Sequence, residues 1–422
     1  MKSLFGGPTR FPAFTTRVLR RSAGFGAMIV GAPLLLTACG PVGGFSTAPT
    51  PEAALSAPIQ SVQSQPLSGT ASSSTIGSGP VRIALIVPLT QGDGKPVAVG
   101  ASLRNATELA YADSGSNDVT FLVKDDQSTP AGALAATQAA IAEGAEIILG
   151  PLFAPNVREA AAAARPANKQ IIAFSTDTSV ATRGVYLLSF LVESYVDRIV
   201  DFAAARGKKS FAALVPNNDY GRVAEAAFQS AAARKGVRVV VIEHYSAGGA
   251  AAAVQKIAGV VGEIDALFIP EQADAMAGVA QALTAGGIDS KRVQILGTGI
   301  WSDARVLRLP ALQGAWFAAP ENNGFNNFAG KYRAKFNSDP TRIATLAYDA
   351  ASLAAALARQ QGSARFSEST LTSSSGFNGA DGVFRFRADG QNERGLSVLQ
   401  IGTGSTSVIS PAPRSFGGPS GT

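Results

Sequence analysis

The feature that most restricts the fold of this chain is an alternation. Short runs rich in Val, Ile, Leu and Phe recur at Val81–Pro88 (VRIALIVP), Val119–Lys124, Glu146–Gly150, Gln170–Phe174, Ser210–Pro216, Val237–Tyr245, Asp265–Pro270 and Val293–Gly297. Between them lie Ala-rich stretches of helical character, such as VGASLRNATELAYAD, PAGALAATQAAIAEG and YGRVAEAAFQSAAARKG, each ending near a glycine or proline stop. The short runs are apolar at consecutive rather than alternate positions, so both faces must be covered, as in parallel strands flanked by helices. The expected class is therefore α/β with doubly wound parallel sheets. The span from Val81 to Gly402 exceeds what one core normally organises, which predicts two lobes.

The ends of the chain have a different character. Lys2, Arg10, Arg17, Arg20 and Arg21 precede the apolar run FGAMIVGAPLLLTA, and no acid occurs before Cys39. That is the order of a signal peptide, expected over residues 1–38. The run of 14 residues is shorter than the roughly 20 that span a bilayer as a helix, so no permanent transmembrane anchor is expected. Cys39 is the chain's one cysteine and has no partner for an internal disulfide. Its window, Leu36-Thr37-Ala38-Cys39, resembles the bacterial lipobox, which implies lipidation of Cys39; a fortuitous cysteine near an ordinary cleavage site is the alternative. The pair Arg20-Arg21 is not read as a twin-arginine signal, because Ser22-Ala23-Gly24 follow where bulk is wanted. Gly40 resembles the default signal for outer-membrane sorting, which implies a lipid anchor in the inner leaflet of that membrane and a domain facing the periplasm. From the cysteine to residue 80 the sequence is rich in Ser, Pro, Gly, Thr and Ala, with Glu52 as the one charge, and reads as a disordered tether over 39–80. Such a coil would hold the folded part roughly 35 Å from the lipid on average. Residues 403–422 read as a disordered tail.

Composition then removes several functions. The net charge of +6 comes with five basic residues in the signal; without them 31 of the 36 Lys and Arg face 30 acids. A nearly neutral mature chain gives no electrostatic case for a nucleic-acid partner. One histidine, His244, cannot build a metal site of several imidazoles, and it is read as packing or surface in a strand. The nucleophile elbow, the phosphate loop and the dinucleotide fingerprint are all missing from the sequence. Asp125-Asp126 follow a strand directly, and loop solvation or helix capping explains them better than an acid–base pair. No enzyme activity, cofactor or metal is expected.

Several phrases, in order, resemble the type 1 periplasmic binding proteins of the leucine/isoleucine/valine-binding superfamily: IALIVPLT with GASLRNATELAYAD, KDDQSTPAGALAATQAAIAEGAEIILGPL, PNNDYGRVAEAAF, and FNGADGVFRFRADGQNERGLSVLQI. The resemblance implies two lobes joined by a multi-crossing hinge, with 81–188 plus about 319–362 in the first and 189–318 plus about 363–402 in the second. GPLFAPNVREAAAAA, NNDYGRVAEAAFQSA, EHYSAG, DALFIPEQADAMAGV and LQGAWFAAPE are most similar to the penicillin-binding protein activator branch. That branch implies a class A penicillin-binding protein, a peptidoglycan synthase, as partner. The helical repeat domain of the best-known activators is replaced here by the Ser/Pro tether. The alternative is amino-acid capture for an ABC transporter. In either case loops after the carboxyl ends of parallel strands should line a cleft: Pro88–Gln91, Asp125–Ser128, Leu152–Asn156 and Ser175–Thr178 on one side, and Asn217–Tyr220, Glu271 and Thr298–Trp301 on the other. Candidate cleft residues are Thr90, Asp126, Phe153, Ser175, Thr176, Asp177, Thr178, Tyr220, Glu271 and Trp301. For an amino acid, Thr178 would take the carboxylate, Asp177 or Glu271 the ammonium, and Tyr220 would cap the ligand; helix capping for 175–178 and hinge packing for Tyr220 are the structural alternatives. Leu152-Phe153-Ala154-Pro155 stand where amino-acid binders usually carry a serine hydroxyl, which implies an altered pocket.

If Cys39 is lipidated, Cys39→Ser leaves the protein uncut or releases it to the soluble periplasm; normal processing with membrane retention of the variant, followed by fractionation and immunoblot, refutes the assignment.

Overall fold

The alternating apolar runs form strands because each is covered twice. In the computed structural model, which describes residues 75–360, 362 and 364–416, the run Val81–Val87 sends Ile83, Leu85 and Val87 into one core cluster and Ala84 and Ile86 into another, all five fully buried. Period-2 side-chain alternation puts successive residues on opposite sheet faces, so a strand buried on both faces must be apolar throughout. Ser210–Pro216 repeats the pattern, with Ala212 and Leu214 on one face and Phe211, Ala213 and Val215 on the other.

The first sheet contains β1 (Thr75–Gly77), β2 (Val81–Val87), β3 (Val119–Asp125), β4 (Ile147–Leu149), β5 (Gln170–Ala173) and β6 (Val185–Leu187), in the order β1-β3-β2-β4-β5-β6. All neighbours are parallel except β1, which runs antiparallel to β3. The chain then forms β7 (Ser210–Pro216), β8 (Arg238–Tyr245), β9 (Ala266–Phe268), β10 (Gln294–Gly297) and β11 (Trp316–Ala319). An antiparallel three-stranded sheet follows, β12 (Phe377–Gly379), β13 (Gly382–Phe386) and β14 (Asn392–Arg394), before β15 (Ser397–Ile401) and β16 (Thr406–Ser410). The second large sheet is ordered β16-β15-β11-β10-β9-β7-β8, parallel from β8 to β11 and antiparallel at β15 and β16. These are two parallel-sheet lobes, as the sequence resemblance implies. In each sheet the strand order reverses beside a central strand, between β2 and β4 and between β7 and β9, and such switch points are where ligand crevices form.

Three passages carry the chain between lobes: Leu188–Leu191 between β6 and helix Val192–Ala205, the link from β11 to helix Asn322–Phe336, and the link from β14 to β15. They are bound to one another. Asn392 Nδ2 and Arg394 Nε donate to the Ser189 carbonyl at 2.9 and 3.0 Å, and Ser397 Oγ donates to Glu321 at 2.6 Å. The Phe190 ring makes two cation–π contacts, with Arg342 at 4.6 Å and Arg394 at 4.7 Å. Arg342 in turn forks onto the buried Asp381 carboxylate at 2.7 and 2.9 Å.

Three stretches differ from the sequence reading. Thr75–Gly77, expected in the tether, pairs with β3, and Thr406–Ser410, expected in the tail, pairs with β15. Both are short β-branched patches inside polar, small-residue sequence, and it is a neighbouring strand edge that makes them strands. Residues 364–386, expected in the second lobe, contribute Phe366, Leu371, Phe384 and Phe386 to the core of the first. Phe386 packs 5.4 Å from Tyr186. The signal, Cys39 and nearly all of the tether lie outside the described residues.

Asp349 is buried in helix Ala344–Ala358, where one carboxylate oxygen accepts from Ala380 N at 2.6 Å and the other has no partner. Burial pushes its carboxyl up to about 7 against the pull of Arg394. The folded protein thus keeps a proton that the unfolded chain, with a value near 3.8, gives up earlier. Stability therefore declines as pH rises from about 4 through about 7. Asp349→Asn should flatten this dependence and gain roughly 2–4 kcal/mol over wild type between pH 5 and pH 8, as read by denaturant titration; parallel pH profiles for the two proteins would disprove it.

Candidate functional site

The register of the first sheet brings its carboxyl-end loops together. Val87 of β2 lies opposite Asp125 of β3, so the Asp125 carboxylate reaches back over the β2 loop. It accepts from Leu89 N at 2.9 Å, Thr90 N at 3.1 Å, Gln127 N at 2.8 Å and Thr90 Oγ1 at 2.5 Å. Asp126 points inward. Fully buried, it accepts from Asn156 Nδ2 at 2.9 Å and Ser128 N at 2.8 Å, and burial raises its carboxyl above the usual range. It fastens the β3 loop to the first turn of helix Ala154–Ala164. That helix starts after Gly150, whose φ of 88° only glycine adopts readily; a Cβ there would lie 2.0 Å from the Ile86 carbonyl. The turn leaves Phe153 exposed at 39%.

After β5, Ser175 is buried and accepts from Asp177 N at 3.1 Å. Thr176 and Asp177 are exposed. Asp177 caps the turn Thr178–Val180 through Ser179 N at 2.9 Å and lies 3.5 Å from Arg158; the Ser179 bond holds its carboxyl below the usual range. Thr178 donates to Glu193 at 3.1 Å, which joins a loop of the first sheet to the helix that opens the second lobe.

In the second lobe Asn218 caps helix Asp219–Lys235 by accepting from Gly221 N at 2.8 Å, and that start aims Tyr220 at the fully buried Thr298, 2.7 Å between hydroxyl oxygens. Burial raises the Tyr220 phenol. Glu271 is buried, accepting from the Tyr245 hydroxyl and from Gln272 N at 2.6 Å. Trp301 is a correction to the sequence reading. It is fully buried in the second-lobe core, its indole pressed on Gly297 and its Nε1 donating to the Glu271 carbonyl at 3.2 Å, so it presents no face to a cleft.

Thr178 and Glu271 line different cavities. Thr178 lines a space of about 540 Å³ with Glu193, Arg222 and Arg387, whereas Glu271 lines another of about 510 Å³ with Asn217, Tyr245 and alanines of helices Ala250–Gly259 and Ala273–Ala285. Thr298 was expected at the cleft edge, whereas Tyr245 and Glu193 were not anticipated. Tyr245 carries the weak signal of a tyrosine ending a strand run beside His244, and Glu193 gives none. His244 itself is half-exposed and 2.8 Å from Glu225. Among the described residues no cluster of three or more His, Cys, Asp or Glu forms a metal-binding group, and no helix is long and apolar enough to cross a membrane.

The family profile described as periplasmic binding protein matches residues 80–406. The chain belongs to the periplasmic binding protein family. Its members bind ligands without chemical turnover, and the fold is of the leucine/isoleucine/valine-binding type. This periplasmic binding protein shares its fold with a protein described as a putative branched-chain amino acid ABC transporter from Rhodospirillum rubrum, at 18% identity over 78% of this chain and 99% of that one, with a TM-score of 0.68. A branched-chain amino acid ABC transporter ligand-binding protein from Burkholderia xenovorans gives 17%, 80%, 97% and 0.62. LivJ from Streptococcus pneumoniae, solved with isoleucine, gives 20%, 78%, 99% and 0.53. No curated protein matches the chain. At these identities the likeness is one of fold, and the roles of individual residues rest on the geometry above.

Two substitutions separate core from cleft in this periplasmic binding protein. Trp301→Ala should cost about 3–5 kcal/mol in denaturant unfolding, the price of a large buried ring. Tyr220→Phe should cost about 1–2 kcal/mol by stranding the buried Thr298 hydroxyl. A neutral Trp301→Ala would return that side chain to the surface.

Proposed function

We propose that this periplasmic binding protein acts by contact with another envelope protein, and that it is an activator of a class A penicillin-binding protein. One observation carries the reading: the groups expected to hold an amino-acid zwitterion, Thr178, Asp177 and Glu271, are already engaged within the protein, and Glu193 Oε2 is the buried oxygen beside Thr178 left without a partner. Thr178 is spent on Glu193, Asp177 on its own turn and Arg158, and Glu271 on Tyr245 and Gln272 N. A free amino acid would have to displace these bonds, and charged hydrogen bonds contribute about 1.5–3 kcal/mol each. The likeness of GPLFAPNVREAAAAA, NNDYGRVAEAAFQSA and LQGAWFAAPE to activator sequences points the same way. So does the lipobox-like Cys39 with its tether, which would give an anchored domain the reach to meet a partner across the periplasm.

A second reading, capture of an amino acid or related carboxylate for an ABC transporter, has support in the fold neighbours. LivJ was solved with isoleucine, and a solute binding protein from Rhodopseudomonas palustris with 3,4-dihydroxybenzoic acid. In that case the internal bonds at Thr178 and Glu271 open on ligand entry.

The two readings part in one pair of measurements. For an activator, no amino acid or benzoate shifts the melting temperature at millimolar concentration, and the immobilised protein retains a purified class A synthase. A melting shift with leucine or a benzoate that Tyr220→Ala or Asp177→Ala abolishes, together with no synthase retention, overturns the proposal in favour of capture.

A further inference from the structure

The loops of the candidate cleft follow the carboxyl ends of the strands. A cavity of about 420 Å³ sits at the opposite, amino-terminal edge of the first sheet. About 10 Å of strand separates Gln170, at the start of β5, from Ala173, just before the loop that carries Ser175 to Thr178. The cavity is made where helix Ala154–Ala164 ends at Arg165, the chain turns through Asn168 with a φ of 52°, and β5 begins at Gln170. The turn that leads into β6 closes it with Thr182 and Arg183.

What distinguishes this cavity is its unspent hydrogen-bonding capacity. Arg165, Asn168, Lys169, Gln170 and Thr182 all line it, and none of their side chains bonds to any described residue. The Gln170 Oε1 atom is buried without a partner and, being an acceptor, calls for a donor such as the hydroxyl of a singly protonated phosphoryl group. Glu368 is the one acid in the lining, and it is taken by Arg183 Nε at 2.7 Å at the rim. Nearby cations behave otherwise: Arg158 pairs with Asp177, and Arg365 with Glu146. The floor is apolar, formed by Ala161, Ala164, Ile171 and Val185.

A bland role for the two free cations is to offset the negative end of helix Ala154–Ala164. That accounts for their charge but not for their donors, since neither side chain bonds the last helical carbonyls, nor for the amides and hydroxyl that share the space. Two unpaired cations, two amides and one hydroxyl around an apolar floor suit a ligand with several charged oxygens. A carboxylate, with two oxygens, would leave part of the set idle. A phosphoryl group presents three and draws on donors from several directions. We infer that this cavity binds a phosphoryl oxyanion, carried either on a soluble phosphoester or on a lipid head group. The site is independent of the cleft and of the activator reading, since it lies on the other edge of the sheet and uses none of its residues.

The test uses the cut, soluble form of the Cys39→Ser protein, so that neither an acyl anchor nor the basic, apolar signal contributes to membrane binding. Pyrophosphate is titrated calorimetrically at low ionic strength, and co-sedimentation is measured with phosphatidylcholine vesicles with and without phosphatidylglycerol. Saturable binding of pyrophosphate, weakened about tenfold or more in Arg165→Gln/Lys169→Gln with an unchanged melting temperature, supports a soluble source. Binding only to phosphatidylglycerol vesicles, lost in the same variant, supports a head group. If the double variant does not fold, Lys169→Gln alone serves in its place. Absence of saturable binding to either probe, or equal binding by the variant, overturns the inference.

Discussion

The Ser189 carbonyl accepts hydrogen bonds from Asn392 and Arg394, and through them the first passage between the lobes is bound to the third. The adjacent Phe190 ring makes cation–π contact with the guanidiniums of both Arg342 and Arg394. Arg342 is neutralised by Asp381, while Arg394 keeps two buried nitrogens without partners. Its compensation comes from the ring, the carbonyl and the field of Asp349 and Asp381. Buried charges held in this way specify geometry more than they add stability. This knot sets how the first and third passages leave one lobe and enter the other.

The same economy governs the loops. Asp126, Asp177 and Glu271 each look, in sequence, like a carboxylate at a strand end waiting for a ligand, whereas Asp125 reads as a loop or capping acid. In the fold, each is used to hold a loop: Asp125 ties down the β2 loop, Asp126 the start of a helix, Asp177 a turn, and Glu271 the end of β8 through Tyr245. A carboxylate at a strand end has backbone N–H groups within reach from the turn that follows, and satisfying them is the cheapest way to bury the loop. A binding role therefore has to be argued from polar groups left over after this internal accounting. By that measure the turn at Arg165–Gln170, on the far edge of the sheet, stands out, because the side chains lining its cavity are bonded to no described residue.

Much of the architecture was legible in the chain itself. Runs such as VRIALIVP, apolar at every position, can be buried only between two helical layers, and that determined parallel sheets and the loop edges where candidate sites would lie. What the sequence could not decide was which way each loop side chain turned. Trp301 was one residue in a glycine-rich turn until the second-lobe core closed over it, and TIG and TSVIS became strands only because β3 and β15 offered free edges. Periodicity is a local property, written in residues a few positions apart. The Thr178 partner of Glu193, the Tyr245 partner of Glu271, the Ala380 partner of Asp349 and the Ser189 partner of Arg394 lie from 15 to 205 positions away, so these engagements, and with them the character of the site, were decided by tertiary packing.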